Sequence, residues 1–141
     1  MIFLHQQNIK QVDVFGYSMG GYVALIAALQ QSDLFKNIIT LGTKFDWSKT
    51  SSEQEVKKLN PEKIQEKVPA FADTLSKRHG ADRWKVLMQR TGEMMIALGD
   101  NPLLTPEKLR KIKQQVTICL GDHDEMTSAN FSKDVAQQIP N

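Results

Sequence analysis

The run Gly16-Tyr17-Ser18-Met19-Gly20-Gly21 is where this sequence has the means to do chemistry. It joins a short apolar segment, Val12 to Phe15, to an Ala- and Leu-rich one, so Ser18 falls where a strand would turn into a helix. A serine exposed at the tip of such a turn needs small neighbours two residues away on each side. A Cβ at Gly16 or at Gly20 is expected to crowd the turn, which makes these two the elbow glycines. The helix that follows opens with unpaired backbone N–H groups and a positive dipole end, both suited to a developing oxyanion. The Met19 N–H is the donor that this reading names, and the Ser18 hydroxyl is the candidate nucleophile. The rival is a tight phosphate-binding turn with Ser18 as an ordinary helix N-cap. Against it, the dinucleotide pattern G-x-G-x-x-G and the Lys of G-x-x-x-x-G-K-[ST] are both absent from this turn.

The elements that must position Ser18 follow from apolar patterning. Three short runs rich in β-branched residues read as strands: Val12 to Phe15, Ile38 to Leu41 and Val116 to Leu120. Gly20 to Gln31, long and free of Pro, reads as the helix crossing between the first two strands. After the second strand a polar stretch, Asp46 to Lys58, leads into helical segments. Asn60 before Pro61 and Thr105 before Pro106 are N-cap and first-turn pairs, and Gly80 ends a helix begun near Pro69. An amphipathic segment, Thr127 to Gln138, follows the third strand, and Pro140 stops it. Strand, helix, strand, helical insertion, strand, helix is an α/β pattern with a parallel sheet. The expected division is 1–45 for the turn-bearing core, 46–110 for the insertion and 111–141 for the return to the core. Three parallel strands are few, because such sheets are normally wider and covered on both faces. Self-association through an open sheet edge is therefore expected of a remnant this small.

Composition removes several classes. The 141 residues carry a net charge of +2, with acidic and basic residues interspersed, so no basic run offers a footprint for nucleic acid. Met1 to Leu4 is apolar but too short for a signal-peptide core, and no stretch has the length of a membrane span. The single Cys119 cannot form an intramolecular disulfide, and a cytoplasmic location is expected. No His or Cys cluster has metal-ligand spacing, so neither a metal nor an organic cofactor is expected.

With these residues in view, the sequence resembles the α/β-hydrolase family, in particular its esterase-like and lipase-like members. The likeness rests on Val12, Gly16, Ser18, Met19, Gly20, Gly21, Ala24 and Ala27, and on a second motif, Leu120-Gly121-Asp122-His123-Asp124. The latter is similar to the family's acid-bearing turn. The resemblance implies a partial α/β-hydrolase fold, cut at both ends, in which Asp124 is the acid of a Ser-His-Asp triad. Asp122 and Asp46 are the weaker candidates for that acid. It further implies that the insertion is a cap whose Trp84, Leu87, Met88, Met94, Met95, Ile96 and Leu98 could line an apolar or acyl-substrate pocket. For most of these, simple packing is the preferred reading.

The sequence departs from the family in its base. Members carry the catalytic His after one further strand, and none of His5, His79 and His123 stands there. Little hydrolysis is expected of this chain by itself. The function expected of the intact protein is Ser-His-Asp hydrolysis of a carboxylic ester or related acyl bond. The alternative is a non-catalytic small-molecule binding protein on the same scaffold.

Overall fold

The computed structural model describes residues 2–141; Met1, the first residue of the short apolar start, lies outside them. Helix α1 (Ile2–Gln6) precedes strand β1 (Val12–Tyr17), helix α2 (Met19–Gln30) and strand β2 (Phe35–Leu41). Helices α3 (Lys49–Val56), α4 (Pro61–Lys67), α5 (Pro69–His79) and α6 (Arg83–Asp100) follow. The chain then forms α7 (Pro106–Leu109), β3 (Gln115–Cys119) and α8 (Ala129–Gln138). Two compact units result: residues up to Asp46 together with Leu103–Asn141, and Trp47–Pro102.

The first unit is built on a parallel sheet in the order β1-β2-β3, with Phe15 beside Ile39 and Ile39 beside Thr117. Its strands alternate with the period of two that a sheet buried on one face requires. Val12, Val14, Ile38, Val116 and Ile118 point to the core, where Ala24, Leu25 and Ala28 of α2 and Val135 of α8 meet them. Leu25 and Ile38 are completely buried, each contributing about 1.5–3 kcal/mol. The opposite face shows Phe15 and Tyr17, 63% and 69% exposed, with Ile39 at 41%. Tyr22 of α2 ties this unit together. Its ring lies against Phe45, and its buried hydroxyl accepts hydrogen bonds from the Leu103 and Leu104 N–H groups at 3.1 and 3.2 Å.

The second unit is wholly helical. Asn60 caps α4 by accepting from the Lys63 N–H at 2.8 Å, and Gly80, at φ +94°, ends α5. Trp84 and Met88 of α6 pack with Ile64, Ala72 and Leu75, while Leu98 is buried and Leu87 and Met94 remain partly exposed. The polar stretch after Asp46 contains a helix that its sequence does not advertise. Ser48 and Ser51 form a reciprocal capping box at the start of α3. Ser52 then packs so closely on α6 that a Cβ at Gly99 would meet its Oγ. Small residues, not an apolar stripe, make that contact. The start of α8 also differs: the helix begins at Ala129 and not at Thr127, with Ser128 as its N-cap accepting from the Phe131 N–H at 3.2 Å.

Candidate functional site

Ser18 lies between the last residue of β1 and the first of α2 with φ 52° and ψ −123°. A residue with a side chain rarely adopts such a conformation, which costs on the order of 1–3 kcal/mol and persists only where its surroundings enforce it. Three hydrogen bonds do so. The Ser18 N–H extends the sheet by donating to the Leu41 carbonyl at 2.8 Å. Its own carbonyl accepts from the Gly21 N–H at 3.1 Å and from the Thr43 hydroxyl at 2.8 Å. The Ser18 side chain makes no cap bond to α2, so the plain N-cap reading fails and the hydroxyl stands exposed.

The glycines divide differently from the expectation. A Cβ on Gly16 would lie 2.5 Å from the Cα and N of Gly21, and one on Gly21 would run into Thr43 Oγ1 and Thr40. Those two glycines let α2 start hard against β1 and β2. Gly20, by contrast, has nothing within 4 Å of where its Cβ would be. The crowding expected at Gly20 belongs to Gly21, because the helix turns its second residue outward and its third toward the sheet.

Asp124 sits in the loop after β3. Its Oδ1 accepts from the Met126 and Thr127 N–H groups at 2.8 and 3.0 Å, and its own N–H donates to the Gly121 carbonyl at 3.1 Å. The Met126 N–H first, and the Thr127 N–H with it, hold its carboxyl below the ordinary carboxylate range. The other oxygen, Oδ2, faces Gly42 just past the end of β2. Asp122 points elsewhere: its side chain is 92% exposed, with only His123 at 3.6 Å.

Ser18 and Asp124 are therefore both held against one short segment, Leu41-Gly42-Thr43. Leu41 and Thr43 bond the backbone of Ser18, while Gly42 donates its N–H to the Cys119 carbonyl at 3.0 Å and leaves room for Asp124. Sequence reasoning missed this bracket. Its only local signal is a glycine directly after a strand.

Among the described residues, no histidine is hydrogen-bonded to Ser18 or Asp124. His5 lines a cavity with Gln30, Ser32 and Leu34 at the far end of α2, roughly 18 Å along the helix from Ser18 at 1.5 Å per residue. No group of three or more His, Cys, Asp or Glu side chains among the described residues is placed to hold a metal ion. Among the described residues, no helix is long and apolar enough to cross a membrane.

The alpha/beta hydrolase fold family matches residues 2–93, well over half of the sequence, and the chain belongs to that family. Solved structures agree on the fold. An α/β hydrolase enzyme from a sediment metagenome of the Mar Chica lagoon, Morocco, superposes with a TM-score of 0.63 at 20% identity, over 99% of this chain and 52% of its own. A hydrolase from Pseudomonas aeruginosa PA01 gives 0.66 at 19% identity, over 99% and 57%. The 2-hydroxy-6-oxo-6-phenylhexa-2,4-dienoate hydrolase of Rhodococcus sp. strain RHA1 gives 0.60 at 16%, over 96% and 55%. The chain thus spans somewhat over half the length of these relatives. No curated protein matches it significantly.

Proposed function

We propose that this chain carries the nucleophile and the acid of a serine hydrolase acting on a carboxylic ester or a related acyl bond. The observation that carries the reading is Ser18 itself: a non-glycine residue held at φ 52°, with its hydroxyl exposed and unused as a helix cap. Strain of this kind, fixed by three hydrogen bonds, presents a nucleophile rather than a structural serine.

In this reading the Ser18 Oγ attacks the acyl carbon while a histidine takes its proton, and the Met19 N–H stabilises the oxyanion. The Oδ1 of Asp124 is spent on the Met126 and Thr127 N–H groups, which leaves Oδ2 to accept from and orient that histidine. The substrate is a small apolar or acyl-containing molecule, and no step needs a metal or organic cofactor.

The test is mass spectrometry after incubation with a fluorophosphonate probe, with imidazole supplied as an external base. Wild-type chain labelled at Ser18, with no label in Ser18→Ala, is the expected result. A folded chain that stays unlabelled, both with imidazole and in a longer version carrying a downstream histidine, overturns the enzyme and leaves a binding scaffold. That second reading draws on the missing bond between Ser18 and any histidine among the described residues.

A further inference from the structure

We infer that Thr43 is a positioning residue for the oxyanion donor, acting through the peptide that joins Ser18 to Met19. The inference rests on the serine hydrolase reading above and adds to it a residue 25 positions from the nucleophile in sequence.

A trans peptide is rigid and planar, with its C=O and N–H pointing in opposite directions. The group that holds the Ser18 carbonyl therefore also sets the aim of the Met19 N–H. Two donors hold that carbonyl. The Gly21 N–H belongs to the opening turn of α2 and moves with it, whereas the Thr43 hydroxyl comes from the segment that leaves the end of β2. Thr43 is thus the contact that refers the peptide to the end of β2 and not to α2, and it is the shorter of the two. Its side chain is itself fixed: Thr43 is 2% exposed, and the missing Cβ of Gly21 makes the space its Oγ1 occupies.

A hydroxyl buried in this way can be removed with little change of shape. Thr43→Val keeps the volume and loses the donor, while Thr43→Ser keeps the donor and loses a methyl. Misaiming one oxyanion donor costs less than deleting it. Thr43→Val is therefore expected to slow phosphonylation of Ser18 by about ten- to a hundredfold. The loss should appear in the maximal labelling rate and not in the half-saturating probe concentration, and Thr43→Ser should restore it.

The structural readouts are the Ser18 carbonyl carbon shift and the residual dipolar coupling of the Met19 N–H, both by NMR on the folded chain. Each should move in Thr43→Val and hold in Thr43→Ser. Unmoved NMR values, labelling of Thr43→Val within about twofold of wild type, or failure of Thr43→Ser to restore the rate would each overturn the inference. Should wild type stay unlabelled both with imidazole and in the longer version carrying a downstream histidine, the serine hydrolase reading fails separately. The Met19 coupling then decides by itself whether Thr43 aims that N–H.

Discussion

The Oδ2 atom of Asp124 lies 3.3 Å from the point where a Cβ on Gly42 would stand, and the ring of Tyr17 lies 3.8 Å from the same point. Gly42 also has φ +57°, a left-handed conformation that a side chain makes costly. Gly42→Ala should therefore lose about 1–2 kcal/mol from strain alone, read as a lower thermal midpoint. It should also displace Asp124, seen as altered amide shifts at Met126 and Thr127. An unchanged midpoint would remove Gly42 from the bracket described above.

The carboxyl of Asp124 is held below the ordinary range by the Met126 N–H first and the Thr127 N–H after it. The sign follows from linkage. As pH falls below the unfolded value near 3.9, the unfolded chain binds a proton that the folded carboxylate still resists, so stability drops through that window. The stability difference between wild type and Asp124→Ala should be full above about pH 4 and shrink below it. Urea titrations at stepped pH measure it. A difference that stayed constant down to pH 2 would assign the loop's order to something other than this carboxylate.

Gly16 and Gly20 should separate cleanly. Gly16→Ala puts a Cβ 2.5 Å from the Gly21 backbone and is expected to abolish cooperative folding. Gly20→Ala points into open space on a helix, where Ala is favoured over Gly by up to about 1 kcal/mol, so the midpoint should hold or rise. Equal losses in the two variants would contradict the geometry of the turn.

Tyr22→Phe removes the acceptor of two N–H groups in a buried setting. A loss of roughly 1–3 kcal/mol is expected, with faster amide exchange at Leu103 and Leu104. Exchange at wild-type rates would mean that the return of the chain to the core is fixed elsewhere.

Phe15 and Ile39 are register partners on the exposed face of the sheet. Parallel sheets rarely leave such a face to water, so the chain is expected to self-associate as its concentration rises. Light scattering on Phe15→Ser/Ile39→Thr against wild type checks this. Equal masses at all concentrations would clear that face of any role.

How much of this was legible beforehand depended on the range of the contact responsible. Asn60, Thr105 and Gly80 were readable as helix ends because a cap and its partner lie within four residues, and the structure uses all three. Ser18 was readable for the same reason: strand, turn and helix are consecutive, and the glycine spacing reflects sterics inside one turn. Helix α3 was not, since its packing rests on Ser52 and Gly99, small residues that leave no apolar period.

By itself, then, the sequence determined a parallel α/β core and an exposed serine at a strained turn, both products of local backbone geometry and apolar periodicity. Only the tertiary structure decided that Gly21, not Gly20, admits the helix, that Asp124 Oδ2 faces Gly42, and that Thr43 holds the Ser18 carbonyl. Each of these depends on which atoms the parallel register brings to the end of β2 from residues far apart in the chain. No spacing along a sequence encodes that proximity until the sheet has formed.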